Sequence, residues 1–361
     1  MSSPAGDGPG PATGGKEQEP LVLPSPIRVG SLCSGMKTEH WSLDLLRWDF
    51  EEVFWCEPDE TARKFVEANM SSKVRGFRDL MGREFQENAP PCDLLVAGFP
   101  CQPFSIQGKG HGLEDEAGRG IIIVGILRYV KKHMPQLVLL ENVEGLVSRH
   151  RSVLDNVLTV LRGMEDTNGN TYSVSWRVLD SHTHGNVPCR RLRVYIVAIK
   201  NCGVRHVRMS WPGPVPKPGL AKICDGDAKL STYVNYPTPP SATASRNIRA
   251  ALDKVRKVAE QESKQPTEYP IIVDTAGSQL NMGWNVAPCL TKARGGALAF
   301  WSLQHGRPLT ISELCRLQGL SSSDMHIPIS ANQMGGLLGN GFTCTVVTRV
   351  IAAAIDAAAN S

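Results

Sequence analysis

Short apolar runs alternate with longer helical stretches along most of the chain. Runs that predict strands occupy residues 27–32, 52–56, 94–97, 137–140 and 194–199. Stretches with a helical spacing of apolar positions include residues 60–69, 121–132 and 152–163. Strands that alternate with helices predict an α/β fold, in which a mostly parallel sheet is covered by helices on both faces. Ligands of such folds bind beyond the carboxyl ends of the strands, so candidate chemistry should lie just after the apolar runs.

The same pattern divides the chain into four segments. Residues 1–26 contain six Pro and five Gly with few large apolar side chains, which predicts a disordered tail. Residues 27–200 carry the alternating pattern and predict a large α/β domain. Residues 201–300 open with a segment rich in Pro, Ser, Lys and Arg, and they predict a smaller inserted domain. Residues 301–361 regain helical character and should fold back onto the first domain.

Composition and charge refine this division. Of the 361 residues 41% are hydrophobic and 20% are charged, which favours a globular protein. The net charge of +4 is too small to indicate a nucleic-acid partner by itself. Residues 201–265, however, hold 11 Lys and Arg against 5 Asp and Glu, a local balance of +6. This surface could contact phosphates without choosing a sequence, or it could be the solvated face of a helix at residues 247–260.

Cysteine spacing and hydropathy exclude several other classes. The 10 cysteines form no C-x-x-C pair, so neither a zinc ribbon nor a thioredoxin-like site is predicted, and no metal is expected. No apolar run approaches the roughly 20 residues of a membrane-spanning helix, so no membrane partner is expected. A basic, apolar leader is also lacking, which favours a reducing intracellular compartment.

Polar residues beside three apolar runs form the candidate site. The loop GFPCQPFS follows residues 94–97 and holds Cys101 between two prolines, as a nucleophile or as a packed turn residue. Glu141 and Asn142 follow the next run, where an acidic side chain could also be a helix cap. Arg191 and Arg193 precede the last run and share one face of a strand. Together these positions predict a thiol, a carboxylic acid and two guanidiniums in one crevice.

These motifs resemble those of the cytosine-5 nucleic-acid methyltransferases that use S-adenosylmethionine. GFPCQPFS is similar to the nucleophile loop, LLENVEG to the glutamate motif and VPCRRLRVYIV to the Arg-x-Arg motif of that family. RPLTISELCRLQGL and LLGNGFT are similar to its two C-terminal motifs, so the resemblance spans residues 28–354 in family order. It implies a Rossmann-like methyltransferase fold, with residues 27–200 and 301–361 as the catalytic domain and residues 201–300 as the target-recognition domain.

The resemblance assigns catalytic roles to four residues. Cys101 would add to carbon 6 of a cytosine that is flipped out of duplex DNA. Glu141, with a raised pKa, would contact ring nitrogen 3 and stabilise the charge that then spreads over the ring. Arg191 and Arg193 would hold the base carbonyl, a neighbouring phosphate and the catalytic residues in register. The predicted activity is methyl transfer to carbon 5 of cytosine in DNA.

The resemblance also implies where S-adenosylmethionine binds. Glu57 would accept hydrogen bonds from the ribose hydroxyls, Pro58 would pack on adenine, and Asp79 would contact the adenine amino group. The full set of implied cofactor contacts is Gly35, Met36, Glu57, Pro58, Asp79, Leu80, Pro100, Ile122, Asn340 and Phe342. Three positions depart from the family pattern: Cys33 replaces an aromatic residue, Lys37 replaces a glycine, and Cys189 replaces a glutamine.

Two alternatives to a DNA methyltransferase stay open. One branch of the family methylates transfer RNA and carries a Cys-Phe-Thr signature, which CLTK at residues 289–292 matches imperfectly. The nucleophile loop of that branch begins with two prolines, whereas this chain has Phe99 and Pro100, so DNA is favoured over RNA. A regulatory homologue without activity is disfavoured by the intact catalytic residues. The sequence does not identify a protein partner, and the compartment would be the nucleus in a eukaryote and otherwise the cytoplasm or nucleoid.

Overall fold

The computed structural model describes residues 23–100, 121–201, 206–225 and 241–359 of the 361-residue chain. Residues 1–22 of the predicted disordered tail lie outside this part of the chain. Cys101 also lies outside it, whereas the chain on both sides of its loop is described, up to Pro100 and from Ile121.

A seven-stranded sheet forms the centre of the large domain in the described residues. Its strands are β1 (Ile27–Leu32), β2 (Phe50–Cys56), β3 (Arg75–Phe77), β4 (Leu94–Gly98), β5 (Leu137–Val143), β6 (Tyr172–Asp180) and β7 (Leu192–Lys200). They lie in the order β3-β2-β1-β4-β5-β7-β6. Strands β1 to β5 pair in parallel, and β7 is antiparallel to both of its neighbours, β5 and β6. The predicted α/β fold with a mostly parallel sheet is confirmed.

Twelve α-helices are present in the same described ranges. They are α1 (Thr38–Leu46), α2 (Glu60–Asn69), α3 (Arg83–Asn88), α4 (Ile121–His133), α5 (Gly145–Ser148), α6 (Arg151–Arg162), α7 (Ser181–His184), α8 (Ala242–Glu262), α9 (Lys292–Gly296), α10 (Ile311–Leu317), α11 (Ala331–Asn340) and α12 (Cys344–Ala359). Short 3-10 helices occur at Leu220–Lys222, Pro266–Glu268 and Ser322–Asp324. The predicted helix at residues 60–69 has the observed bounds of α2, because Asp59 caps it by accepting hydrogen bonds from the backbone of Thr61 and Ala62.

Both faces of the large sheet are buried because apolar side chains alternate along its strands. Leu95 and Ala97 of β4 belong to a core cluster with α4 and α6 on one face. Leu94 and Val96 belong to a cluster with α1 and α12 on the other. The C-terminal helix α12 therefore covers strands that were formed by the first half of the chain.

A second, smaller sheet lies in the C-terminal half. It contains β8 (Ile271–Asp274), β9 (Asn281–Trp284), β10 (Phe300–Ser302) and β11 (Arg307–Pro308), all paired antiparallel in the order β11-β10-β8-β9. Helix α8 packs on one face through Ile248, Leu252 and Val255. Ile272 and Phe300 instead join a cluster with helices α10 and α11. This sheet has strands on both sides of residue 300, where we placed the end of the inserted domain, and the division into domains stays a prediction.

The segment of α11 and α12 is apolar enough, by length and composition alone, to cross a membrane. About 56% of its most apolar window is buried inside the protein, as expected for core helices. The helix is also interrupted at Gly341, where the backbone is extended. This break places the turn between α11 and α12 beside the ends of the central strands.

Candidate active site

An open cleft lies at the carboxyl ends of the parallel strands. Twelve of the fourteen predicted site residues line it: Gly35, Glu57, Pro58, Asp79, Leu80, Pro100, Ile122, Glu141, Arg191, Arg193, Asn340 and Phe342. Of the other two, Cys101 lies outside the described residues. It directly follows Pro100, which lines the cleft. Met36 is buried behind the wall, where its side chain packs beside Gly341, and its part in cofactor binding stays a prediction.

The reversed direction of β7 brings the two arginines to this end of the sheet. Because β7 is antiparallel to β5, the beginning of β7 lies beside the end of β5, and Val143 pairs with Arg193. We expected Glu141 to follow a strand that ends at residue 140, but it lies within β5. The strand continues because Gly98 and Tyr195, on the two neighbouring strands, both pair with Glu141.

Glu141 and Arg193 form an ion pair in the cleft wall. The Nε atom of Arg193 lies 3.2 Å from Oε1 of Glu141, and the two side chains are only 11% and 10% exposed. Burial raises the pKa of Glu141, and the positive charges of Arg193 and Arg191 oppose part of that rise. The carboxyl group is therefore set to hold a proton more readily than a solvated glutamate, as the proposed contact with a ring nitrogen requires.

Arg191 lies deeper than Arg193 and binds backbone. Its Nη1 atom donates to the carbonyl oxygens of Leu290 and Gly339, the latter at 3.2 Å, and Nη2 donates to that of Gly341 at 2.7 Å. Burial lowers the pKa of this guanidinium. Arg191 therefore joins the start of β7 to the end of α11 and to the loop after β9. Of the roles that the resemblance implied, its contacts match the one that holds the site in register.

Asn142 holds the backbone that leads to Cys101. Its Nδ2 atom donates to the carbonyl oxygen of Phe99 at 3.1 Å, and its Oδ1 atom accepts from the backbone of Val143. Asn142 is buried, and Phe99 lies two residues before Cys101. Sequence reasoning singled out this residue only as part of the glutamate motif, and its position next to Glu141 was the available signal.

Glu57 is held in place at the other end of the cleft. Its two carboxyl oxygens accept hydrogen bonds from the backbone of Gly35 at 2.8 Å and of Asp59 at 3.0 Å. Burial raises the pKa of Glu57, and these two donors oppose the rise. Gly35 has a left-handed backbone (φ 52°), and a Cβ atom there would meet open space, so only the backbone borders the cleft.

These residues fit the sugar and the base of a nucleoside. Glu57 offers fixed acceptors for sugar hydroxyls, and Asp79 retains an oxygen beyond the one that accepts from Met81. Apolar side chains suited to a base also line the cleft, namely Pro58, Leu80, Ile122 and Phe342. Further lining residues that the sequence did not single out are Ser34, Thr38, Cys56, Arg78, Phe99, Val143, Gly339 and Gly341.

The three departures from the family pattern have distinct surroundings. Cys33 lines the cleft in a left-handed conformation (φ 51°). Cys189 is fully buried, and its Sγ atom donates to the carbonyl oxygen of Pro288 at 3.4 Å, while burial raises the pKa of this thiol to about 12. Lys37 is fully buried beside Glu52.

Helix α8 contributes a net charge of only +2 to the +6 of the inserted segment, from five basic and three acidic residues. Its inner face is buried against the small sheet, whereas Arg246, Arg249, Lys254, Arg256 and Lys257 are exposed. It is therefore a packed amphipathic helix whose exposed face also carries Asp253, Glu260 and Glu262, and contact of its basic residues with phosphates stays a prediction.

Comparison with known proteins finds relatives that match most of this chain. A family model of C-5 cytosine-specific DNA methylases matches residues 27–356. The Type II methyltransferase M.NgoBI of Neisseria gonorrhoeae is 31% identical over 300 residues, which cover 82% of this chain and 83% of that protein. M.HaeII of Haemophilus aegyptius is 27% identical over 311 residues, 85% of this chain and 86% of that protein. The structure of the S. pombe Dnmt2 methyltransferase shares the fold, with a TM-score of 0.56 at 17% identity over 91% of this chain and 98% of that one.

The family match extends from β1 into α12 and includes every described residue that we assigned to catalysis or cofactor binding. The resemblance inferred from the motifs is thereby confirmed. The chain belongs to the C-5 cytosine-specific DNA methylase family.

Proposed function

We propose that this protein transfers the methyl group of S-adenosylmethionine to carbon 5 of cytosine in DNA through a covalent adduct with Cys101. One observation carries the proposal. The Glu141–Arg193 pair lies in the same cleft as Pro100, the residue before Cys101, and as the Glu57–Gly35 contact. The candidate acid, the described start of the nucleophile loop and the candidate nucleoside site thus line one cavity.

The described residues divide the work between two ends of the cleft. Glu57 and the backbone of Gly35 would hold the ribose and methionine parts of S-adenosylmethionine. The bound cofactor supplies an electrophilic methyl group. Phe342 and Gly98 lie together between the two ends, since a Cβ atom on Gly98 would lie 2.6 Å from the ring of Phe342. This close packing would keep the nucleophile loop next to the methyl donor.

The chemistry begins at carbon 6, because carbon 5 of neutral cytosine is a weak nucleophile. The Cys101 thiolate forms a sulfur–carbon bond at carbon 6, and the electron pair moves onto the ring. Glu141 donates a hydrogen bond or proton to ring nitrogen 3 and so stabilises that charge. Arg193 orients Glu141 and is placed to donate to the base carbonyl. The cofactor held by Glu57 and Gly35 would supply the methyl group that carbon 5 takes up. The carbon-5 proton then leaves to a base, and its electron pair re-forms the ring double bond as Cys101 departs as a thiolate.

The substrate must expose the ring edge to this cavity. Carbons 5 and 6 are stacked inside a DNA duplex, so the cytosine would be flipped into the cleft. The basic residues of α8 are suited to phosphate contacts outside the cleft, which would add affinity without sequence choice.

Methyl transfer from labelled S-adenosylmethionine to duplex DNA and to total transfer RNA, measured separately, tests the substrate. We expect incorporation into DNA, and incorporation into transfer RNA alone would contradict the proposal.

Cys101→Ala should abolish transfer while duplex binding persists. DNA that contains 5-fluorocytosine should instead trap a covalent complex with the unmodified protein, because fluorine cannot leave as the proton does. A Cys224→Ala variant, which changes a cysteine outside the cleft, is the matched control.

A further inference from the structure

A buried ion pair lies beneath the turn that follows β1. The side chain of Lys37 is fully buried, and its Nζ atom is 2.8 Å from Oε1 of Glu52 and 3.8 Å from Oε1 of Glu39. The carboxylate partners are also buried, at 8% and 1% exposure of their side chains. Among the described residues Lys37 is the only buried lysine. Burial of an ammonium group is costly unless a carboxylate stays beside it. The contact therefore constrains the positions of the two backbone segments that carry Lys37 and Glu52.

The ion pair connects the residue before α1 to β2. Glu52 lies where the pairing of β1 with β2 is irregular, since Val29 pairs with Glu52 but Gly30 pairs with Phe54. The same carboxylate oxygen lies 3.2 Å from Nδ1 of His40, in the first turn of α1. The start of α1 is thereby tied to a fixed position on β2.

Lys37 also sets the backbone of the turn. It precedes α1 in a left-handed conformation (φ 53°, ψ 53°), which costs a residue other than glycine about 1–2 kcal/mol. Its backbone N–H donates to the carbonyl oxygen of Ser34 at 2.7 Å, and its own carbonyl oxygen accepts from His40. Ser34 and Gly35 line the cleft, and the Gly35 N–H holds Glu57. The conformation of Lys37 therefore decides where the Gly35 N–H points.

We propose that Lys37 is a positioning residue for the cofactor, because its ion pair with Glu52 holds the turn in the shape that binds S-adenosylmethionine. The inference rests on the proposed function. A glycine, as the family pattern has here, reaches the left-handed conformation without strain and needs no buried partner. In this chain the attraction between Lys37 and Glu52 offsets the free-energy cost of the left-handed backbone at Lys37. The same ion pair fixes the start of α1.

Cofactor affinity measured without DNA tests the proposal. Lys37→Met keeps the length of the side chain and the backbone strain but removes the charge. Titration calorimetry with S-adenosylmethionine should show at least a roughly tenfold weaker Kd, equivalent to about 1.4 kcal/mol. In steady-state assays the KM for S-adenosylmethionine should rise similarly, while kcat and the KM for DNA change less than about threefold.

The double variant Lys37→Gly/Glu52→Gln provides the rescue. It removes both charges and lets the turn reach the left-handed conformation freely, so we expect its Kd to return to within about threefold of the unmodified protein. The single variant Glu52→Gln should weaken binding like Lys37→Met and serves in its place if that variant does not fold. Failure of the double variant to recover affinity would refute the compensation.

Arg28→Gln is the matched control. It breaks an ion pair with Asp93 at the opposite end of β1, where the Arg28 side chain is 44% exposed. It should lower the melting temperature without changing the Kd for S-adenosylmethionine. Equal Kd values for Lys37→Met and the unmodified protein would overturn the inference. If the unmodified protein itself failed to bind S-adenosylmethionine, the proposed function would fail instead.

Discussion

The carboxyl group of Glu141 is subject to two opposing influences at the scale of a single residue. Burial favours its neutral form, and the two guanidiniums beside it favour its charged form. The neutral form is the one that can donate to ring nitrogen 3. Arg193 thus orients Glu141 at 3.2 Å while limiting how far its pKa rises. Arg193 therefore orients the carboxyl group of Glu141 and also affects the pH range in which that group is neutral.

This balance predicts the pH dependence of turnover. Because the neutral carboxyl is the active form, kcat should fall as pH rises through the raised pKa of Glu141. Arg193→Gln removes a cation that lowers this pKa, so the falling limb should move to higher pH even though the maximal rate decreases. Profiles of kcat against pH for both proteins provide the measurement. The control variant Arg190→Gln changes an exposed neighbour and should leave the falling limb of the pH profile unshifted. An unshifted falling limb in Arg193→Gln would argue against the role of neutral Glu141 in turnover.

Two helices approach so closely in the C-terminal half that glycines form their contact. A Cβ atom on Gly335 of α11 would overlap the carbonyl oxygen of Gly295 of α9. A Cβ atom on Gly339 would likewise overlap the carbonyl oxygen of Thr291. This packing places the end of α11, with Asn340 at the cleft, against the loop that carries Leu290. At the scale of elements, it is backbone contact that joins the small sheet to the cofactor site.

Adjacent glycines of α11 should respond differently to alanine. Gly335→Ala forces the helices apart and should cost about 1–3 kcal/mol of unfolding free energy, which outweighs the gain in helix propensity. At Gly336 the nearest atom to the added methyl group is 3.8 Å away, so Gly336→Ala should be neutral or stabilising by up to about 1 kcal/mol. Urea denaturation of the two variants makes the comparison, and equal effects would contradict the packing argument.

The elements differ in how far sequence could predict them. Apolar runs located β1, β2, β4, β5 and β7, because central strands of a parallel sheet are buried on both faces. Strand β6 was missed, since it lies at the edge and mixes Ser, Trp and Arg with apolar residues. The strands of the small sheet have only two to four residues, so their pairing depends on tertiary contacts that no local pattern shows.

The site residues also differ in whether a local sequence pattern or a tertiary contact determines their position. Motifs placed twelve predicted residues in one cleft, because most of them lie at or next to the ends of strands, while Asn340 and Phe342 lie at the turn between α11 and α12. The side chain of Met36 does not line the cleft, because the side of the turn that it takes depends on the packing behind it, which no local motif shows. The Lys37–Glu52 pair escaped prediction because it depends on an irregular register between two strands.

At the scale of the whole molecule, long-range polar contacts make stability depend on pH. Glu313 is fully buried and binds Arg307 through both carboxylate oxygens, at 2.8 and 2.9 Å. Burial alone would raise its pKa, but Arg307 and the backbone donors Thr310 and Asp225 prevail and lower it to about 2. The carboxylate thus links β11, the start of α10 and the segment that ends at Asp225.

The lowered pKa predicts an acid-dependent loss of stability. The contribution of Glu313 is complete above the ordinary glutamate pKa of about 4.5, and it is lost as pH falls from there to about 2. Glu313→Gln should lower the unfolding free energy at pH 7 by about 2 kcal/mol and flatten its decline over that acid range. Urea titrations at several pH values test this. Glu260→Gln, which changes an exposed carboxylate of α8, should leave the curve unchanged.

The contacts of Arg191 also determine when the protein can become active during its own synthesis. Its acceptors Leu290, Gly339 and Gly341 follow it by 99 to 150 residues. Helix α12, which covers one face of the central sheet, is made later still. A ribosome-bound chain that ends before α12 would hold Cys101, Glu141 and both arginines, yet expose a bare apolar face and an open cleft wall. Methylation should therefore begin only after release of nearly the whole chain, and chaperones should be needed most just before that point.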